Sequence, residues 1–163
     1  LIGAEPARAK HISFTAAYAE IEATYLVPAG SILDCIEDVD QPGVRISVPA
    51  RAAFELWLTD NIRHAELHRF EGRRAFDEFV EQKLEALAGL RAGLVNDVEK
   101  LPGSRLIQGK FTSVQQAIGT PKGRDISARF LEEFVAEAKK SGFVGKLIET
   151  FGVTGRLTVA PEH

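Results

Sequence analysis

The chain has 163 residues, of which 45% are hydrophobic and 26% are charged, and its formal net charge is −3 at pH 7. This composition is typical of a globular protein with enough residues for a core, and the negative charge argues against a nucleic-acid-binding surface, which is usually basic. No apolar run approaches the roughly 18 residues of a membrane span, and the single cysteine, Cys35, excludes an intrachain disulfide.

The first part of the chain contains two extended segments separated by a crossing segment. Alternating polar and apolar residues predict a strand over 11–15, and a β-branched and aromatic run predicts a second strand over 24–28, with 16–23 crossing between them. A third extended segment follows far downstream at 111–119. Two extended regions that bracket an α/β region predict a chain that leaves one lobe, builds a second lobe and returns.

The middle of the chain alternates between strand and helix patterns. Its predicted elements are a short helix over 34–39, a strand over 44–48, a helix over 51–63, a strand over 67–70, a helix over 72–83, a strand within 84–90 and a helix over 92–99. In the helix over 51–63, Ala53, Leu56, Trp57 and Ile62 fall at helical spacing and are expected to share an apolar face. This alternation is typical of an α/β fold.

The last part of the chain is predicted to be mainly helical. Extended segments over 105–109 and 111–119 lead to a surface turn over 119–124. A helix over 125–140 follows, with an apolar face formed by Ile126, Phe130, Phe134, Val135 and Ala138. Ser141-Gly142 ends it, and a second helix over 143–151 precedes a short tail.

Several of these segments, in order, resemble family-3 periplasmic solute-binding proteins, the extracytoplasmic receptors of amino-acid-type ABC importers. The similar segments are Arg8–Tyr18 (RAKHISFTAAY), Tyr25–Ser31 (YLVPAGS), Val39–Ile46 (VDQPGVRI), Phe111–Pro121 (FTSVQQAIGTP) and Phe134–Gly142 (FVAEAKKSG). The resemblance implies an α/β, type II periplasmic-binding-protein-like fold, with two lobes joined by two crossing strands. Lobe one would comprise 1–22 and 115–163 and would be incomplete, lacking its first half, whereas 23–114 would form a complete lobe two.

The resemblance also implies a function and a location. We expect a periplasmic receptor that binds a small solute between its lobes and delivers it to an ABC permease in the membrane, without a cofactor or nucleic acid. A signal peptide and the first strands of lobe one are expected to precede Leu1. Because an incomplete lobe exposes sheet edges and apolar helix faces, either these upstream residues or a second copy of the chain is expected to cover it.

Five residues are candidates for ligand binding through this resemblance: Arg8, Tyr18, Arg51, Ala52 and Arg91. The arginine at the position of Arg8 grips the ligand carboxylate in amino-acid receptors, and Tyr18 belongs to the same motif. Arg51-Ala52 replaces a small Gly-Ser/Thr pair at a helix N-terminus, and Arg91 replaces an aspartate that holds the ligand ammonium. For each arginine, a solvated surface position is the alternative interpretation.

The three arginines favour an anionic ligand over a plain amino acid, because a guanidinium repels an ammonium group and binds carboxylates through its planar fork. Two other functions stay open: a dehydratase of prephenate-type acids on the same fold, with Glu20, Glu22 and Glu55 as the acidic residues near the cleft, and an orphan sensor module. His64 and His68 are four residues apart, but no further ligand spacing completes a metal site, so no metal is predicted.

Overall fold

The computed structural model describes residues 2–4 and 6–161 and confirms the predicted α/β class. Its strands are β1 (Ile2–Gly3), β2 (Ile12–Phe14), β3 (Ala19–Val27), β4 (Arg45–Pro49), β5 (Glu66–Phe70), β6 (Ala86–Leu90), β7 (Arg105–Leu106), β8 (Thr112–Ala117), β9 (Gly119–Pro121) and β10 (Thr158–Val159). Its helices are α1 (Pro6–Ala9), α2 (Ala53–Asn61), α3 (Arg74–Glu81), α4 (Arg91–Lys100), α5 (Asp125–Lys140) and α6 (Phe143–Thr150), with a 3₁₀ turn at Ile36–Asp38. Leu1, Glu5, Glu162 and His163, which belong to the predicted segments 1–22 and 115–163, lie outside the described residues.

The chain divides into two compact units. The first unit comprises the described residues of Leu1–Ile21 and Val114–His163, and the second unit is Glu22–Ser113. One boundary falls inside β3 and the other inside β8. Two strands therefore carry the chain from one unit to the other. No helix among the described residues is long and apolar enough to cross a lipid bilayer.

The sheet of the second unit places the ends of three parallel strands at one edge. β4 pairs in parallel with β5 on one side and with β6 on the other, and β6 pairs in antiparallel fashion with β3. The helices α2 and α3 provide the crossover connections that parallel pairing requires. The carboxyl ends of β4, β5 and β6 consequently lie at the same edge, which is where ligands bind in open α/β sheets.

Helices cover both faces of this sheet. Successive residues of a strand point to opposite faces, and on β3 the neighbours Tyr25 and Leu26 pack against different helices. Leu26 belongs to a buried cluster with α3 and α4 residues. The Tyr25 ring lies 4.6 Å from that of Phe111, which in turn contacts two aromatic residues of α2, Phe54 and Trp57. The helices that follow β4 and β6, α2 and α4, therefore lie on opposite faces of the sheet.

The buried face of α2 differs from the predicted one. Phe54 and Leu58 are buried, whereas Leu56 from the expected face is 43% exposed. Two apolar stripes overlap on this helix, and the ring of Phe111 contacts one residue from each, Phe54 and Trp57. The sequence pattern alone could not distinguish them.

The first unit contains three short strands that were not predicted. β1 pairs with β8 in antiparallel fashion near the start of the chain. β9 pairs with β2 in the segment expected to be a surface turn, and β10 pairs with the start of β3 in the segment expected to be a tail. α5 has the predicted bounds, but of its apolar face only Val135 is buried. Ile126, Phe130 and Phe134 are 89%, 66% and 49% exposed.

Candidate functional site

The junction between β4 and α2 presents an uncapped helix N-terminus at the carboxyl edge of the second unit. Ala52 occupies the N-cap position in an extended conformation, and its methyl side chain cannot accept a hydrogen bond from the first amides of the helix. The first N–H groups of any α-helix lack intrahelical partners and favour a negative charge. An anion could satisfy them here.

Arg51 precedes this N-terminus in a left-handed conformation, with φ of 64°. A residue with a Cβ adopts this region only at an energetic cost. Its side chain is 81% exposed, and its Nη2 lies 2.6 Å from Oε2 of Glu71, which is itself 68% exposed. An ion pair between such exposed groups is weak, so the guanidinium can exchange Glu71 for another anion at little cost.

Arg91 is held much more firmly than Arg51. It is the first residue of α4 and follows β6 without a loop. Its Nε donates to Oε2 of Glu22 at 2.8 Å and its Nη2 donates to the carbonyl of Gly109 at 2.6 Å, with 22% of the side chain exposed. The pairing of Ala23 with Leu90 explains the contact, because continuing this antiparallel register sets Glu22 beside Arg91.

Lys110 adds a second cation to this cluster. Its Nζ lies 3.8 Å from Oε1 of Glu22. One carboxylate is therefore shared by two cations. Because β4 and β6 are parallel neighbours, this cluster and the Arg51-Ala52 junction occupy the same edge of the sheet.

The two other predicted residues belong to the first unit. Arg8 lies in α1, is partly buried and donates from Nη1 to the carbonyl of Gly3 at 3.1 Å. The backbone amide of Tyr18 donates to the carbonyl of Gln116 at 2.9 Å. The side chain of Tyr18 lines an apolar groove beside α5 and α6, and burial raises the pKa of its phenol above the ordinary value.

The acidic residues considered for acid catalysis all have partners. Glu20 accepts a hydrogen bond from Nε2 of Gln115 at 2.6 Å, and Glu22 pairs with Arg91. Glu55 is buried on α2. Burial acts to raise the pKa of Glu55, but hydrogen bonds from Arg69 and Thr59 outweigh it and hold that pKa below its ordinary value.

The histidines do not share one helix. His64 lies between α2 and β5, and His68 lies on β5, where its Nε2 is 3.4 Å from Oε2 of Glu66. Helical spacing therefore does not bring the two imidazoles together. Within 2–4 and 6–161, no three histidine, cysteine, aspartate or glutamate side chains cluster at metal-binding distance.

Lys110 and Glu71 contact predicted site residues but were not themselves predicted. Glu71 follows β5 and meets Arg51 across 20 positions of sequence, and Lys110 meets Glu22 across a much longer separation. Strand pairing creates both contacts. Only the position of Glu71 directly after a predicted strand could have suggested its place at this edge.

No protein-family model and no curated protein matches this sequence. Solved structures do match its fold. The chain is similar to the ancestral amino acid-binding protein AncCDT-1, a precursor of cyclohexadienyl dehydratase, with 20% identity and a TM-score of 0.72, covering 91% of this chain and 64% of that one. It is also similar to a solute receptor for L-cysteine of Neisseria gonorrhoeae (18% identity, TM-score 0.72, covering 91% and 61%) and to an ancestral arginine-binding protein bound to arginine (20% identity, TM-score 0.73, covering 91% and 68%).

The chain thus spans between about three fifths and two thirds of the length of these solved proteins. At such low identity the similarity establishes the architecture rather than the ligand. Together with the two units joined by β3 and β8, it confirms the expected fold. The chain has the fold of the type II periplasmic binding proteins.

Proposed function

We propose that this chain acts as a periplasmic solute-binding receptor of an ABC importer and binds a small carboxylate-bearing solute. In this proposal lobe one comprises 1–22 and 115–163 and lobe two comprises 23–114, and these bounds differ by one residue from those of the two compact units. The solute lies between the lobes and favours their closure because it contacts both. The support is the fold, which is shared with amino-acid-binding proteins, and the anion-binding chemistry at the β4–α2 junction.

The uncapped start of α2 is the observation on which this proposal depends most. A carboxylate placed there would accept hydrogen bonds from the free backbone amides and be favoured by the helix dipole. Arg51 stands directly before these amides in a conformation that costs energy, and strained residues are concentrated at functional sites. Arg51 and the amides after Ala52 would form the anion site of lobe two.

Lobe one would contribute Arg8 and Tyr18. A guanidinium can bind a carboxylate through two parallel hydrogen bonds, and Arg8 has the position of the carboxylate-binding arginine in the motif that the sequence resembles. Tyr18 would shield one side of the ligand with its ring. A solute that binds both Arg8 and the start of α2 would carry a negatively charged group at each of these two contacts.

The cluster around Arg91 favours an organic anion without an α-ammonium group. Where the resemblance implies an aspartate for the ammonium, this chain has Arg91, and its partner Glu22 is neutralised by two cations. An arginine at this place would repel an ammonium and attract a second carboxylate. In this proposal Arg91 contributes to the electrostatic potential at the site, while the less firmly held Arg51 contacts the ligand directly.

A dehydratase would need a general acid near its leaving hydroxyl. Glu20, Glu22 and Glu55 are each hydrogen-bonded or ion-paired. The pKa of Glu55 is lowered, whereas a carboxyl group that acts as a general acid at neutral pH needs a raised pKa. One similar structure is a precursor of cyclohexadienyl dehydratase, but that protein is itself described as amino-acid-binding. The binding function is therefore preferred to the enzymatic one and to a sensor.

The exposed face of α5 favours association of this chain. Ile126, Phe130 and Phe134 lie on it, with Phe151 of the neighbouring segment 73% exposed, and apolar patches of this kind usually mark an interaction surface. We propose that a second copy of the chain covers this face when no other segment does. Light scattering over a range of concentrations should show a dimer, and a stable, monodisperse monomer would contradict this proposal.

A thermal-shift screen with two panels of compounds tests the binding function. One panel contains amino acids and the other contains mono- and dicarboxylic acids that lack an amino group. A ligand at about 100 times its dissociation constant stabilises the folded state by about 2.7 kcal/mol, enough to measure. A shift with the acids alone supports the proposal, a shift with amino acids alone contradicts the assigned ligand class, and no shift in either panel contradicts the binding function.

A further inference from the structure

A crevice of about 380 Å³ separates α3 from α4 within the second unit. It opens at the carboxyl edge of the sheet beside the ends of β4 and β6. These two strands are parallel neighbours, and their following helices, α2 and α4, leave toward opposite faces of the sheet. A gap at the strand ends is the geometric result of this arrangement, and such gaps are common ligand sites.

The crevice has an apolar floor and a basic rim. Phe76, Leu87 and Leu94 form part of the floor. At the rim, Nζ of Lys100 lies 5.8 Å from the centre of the Phe76 ring and 3.2 Å from Oδ1 of Asp97, so that cation is already paired. Arg73 also lines the crevice and is exposed, and no ion-pair partner for it occurs in the part of the chain that the structure describes. The rim therefore carries one uncompensated positive charge.

Gly93 keeps the mouth of the crevice open. A Cβ atom built on Gly93 would have no neighbour within 4 Å, although this residue lines the crevice and lies inside α4. Every residue other than proline favours a helix interior more than glycine does. The glycine thus leaves free space where a helix would ordinarily place a side chain.

We propose that this crevice is a second binding site, for a small carboxylate with a flat apolar body. The ring would rest on the floor beside Phe76, and the carboxylate would pair with the free guanidinium of Arg73. The crevice volume falls within the range of about 300–1,000 Å³ that small-molecule sites occupy. The site lies wholly within the second unit. Pro49, Phe54, Leu90 and Ala92 of its lining adjoin the solute site proposed above, whereas Arg73 and Phe76 do not belong to that site.

Phenylacetate is a suitable probe because it has one ring and one carboxylate. It is titrated into the ¹⁵N-labelled full chain while the backbone amides are followed by NMR. Saturable shifts at Gly72 and Gly93 are expected. Phenethylamine, with the same ring and the opposite charge, and acetate, with the charge but no ring, should produce much smaller shifts.

Two matched pairs of variants complete the test. Gly93→Leu should abolish the saturable shift by filling the crevice, whereas Gly93→Ala should retain it. Arg73→Gln should weaken binding about three- to fivefold, the usual effect of one exposed ion pair. The neighbouring substitution Arg74→Gln should leave it unchanged, because Arg74 already pairs with Glu78 at 2.7 Å.

The second site would be overturned by the absence of saturable shifts at the highest soluble concentration, by equal shifts with phenethylamine, or by shifts that persist in Gly93→Leu. Shifts confined to the amides of 52, 53 and 91 would also overturn it, while supporting the solute site at the β4–α2 junction. Shifts confined to residues beside α5 and α6 would instead identify nonspecific partitioning into the apolar groove.

Discussion

At the scale of single residues, the conformation of Arg51 is informative. Among the described residues only Arg51 and Lys83 combine a side chain with a positive φ, at 64° and 51°. A left-handed conformation costs a residue with a Cβ about 1–2 kcal/mol. The Gly-Ser/Thr pair that the resemblance implies here would place a glycine at this position and avoid that cost.

Substituting this residue should separate stability from binding. In Arg51→Gly the backbone strain is relieved and a weak, exposed ion pair is lost, so the free energy of unfolding should stay unchanged or rise by up to about 1 kcal/mol. Lys83→Gly is the matched control at the other strained position. Urea denaturation of both variants checks this, and a loss of stability in Arg51→Gly alone would show that Arg51 has a structural role.

Glu22 is expected to stabilise the fold through Arg91. Glu22→Gln would leave the largely buried guanidinium without its charge partner while keeping the shape of the side chain. Because both groups retain some solvent contact, we expect a loss of about 1–2 kcal/mol rather than the larger cost of a fully buried pair. Glu71→Gln removes the exposed partner of Arg51 and serves as the control, with a melting temperature close to that of the parent. Equal melting temperatures for the parent and Glu22→Gln would contradict this role.

Asp40 is expected to make folding stability dependent on pH. Burial acts to raise its pKa, but backbone N–H groups of Ala65, His64 and Arg63 donate to its carboxylate and hold the pKa below the ordinary 3.8. A depressed folded-state pKa contributes stability above the unfolded value, which is lost as pH falls through the folded value.

Asp40→Asn should therefore destabilise the chain by about 1–2 kcal/mol at about pH 7, where the carboxylate is charged in the parent protein. The difference between the variant and the parent should shrink as the pH falls below the ordinary pKa of 3.8 and through the lowered pKa of the folded state. Urea unfolding at several pH values measures it. A difference that is independent of pH would show that hydrogen-bond geometry, rather than charge, makes Asp40 important.

At the scale of elements, long periodic segments were predicted well and short strands were not. The helix over 125–140 has the predicted bounds, and the strand over 67–70 is one residue longer in the structure. β3 begins at Ala19 instead of residue 24, because pairing with β10 extends it through Glu20. β9 and β10 have only three and two residues. Strands this short form by pairing with a neighbouring strand, and their own sequence pattern does not predict them.

The turn between α4 and β7 depends on a glycine. Gly103 has φ of 80°, and a Cβ at this position would lie 2.8 Å from the Cβ of Ala29, which cannot rotate away. Gly103→Ala should therefore cost about 2–4 kcal/mol, from left-handed strain and overpacking together. Gly30→Ala, with φ of 76° and nothing within 4 Å, should cost only about 1–2 kcal/mol. Equal melting temperatures for the two variants would exclude the packing contribution.

At the scale of the whole molecule, the sequence predicted the fold better than it predicted the site. Ordered segment similarities were enough to identify a type II periplasmic-binding-protein fold, and the structural matches confirm it. The candidate residues Arg51, Ala52 and Arg91 lie at the same edge of the sheet. The carboxylates that pair with the two arginines, Glu71 and Glu22, depend on strand register across long separations, which side-chain spacing along the sequence does not encode.

In the proposed function, one solute contacts both units. If it does, charges on each unit should matter for affinity, although they lie far apart in the sequence. Arg8 represents the first unit and Arg51 the second. Lys83 provides a control, since it shares the backbone conformation of Arg51 but lies outside the proposed site.

The most direct measurement is a calorimetric titration with the carboxylic acid that produces the largest thermal shift. The parent protein is compared with Arg8→Ala, Arg51→Gly and Lys83→Gly. We predict that the first two variants bind at least about tenfold more weakly, which corresponds to about 1.4 kcal/mol each, and that Lys83→Gly binds like the parent. Parent-like affinity in both Arg8→Ala and Arg51→Gly would contradict the proposal that these two units hold an anionic solute between them.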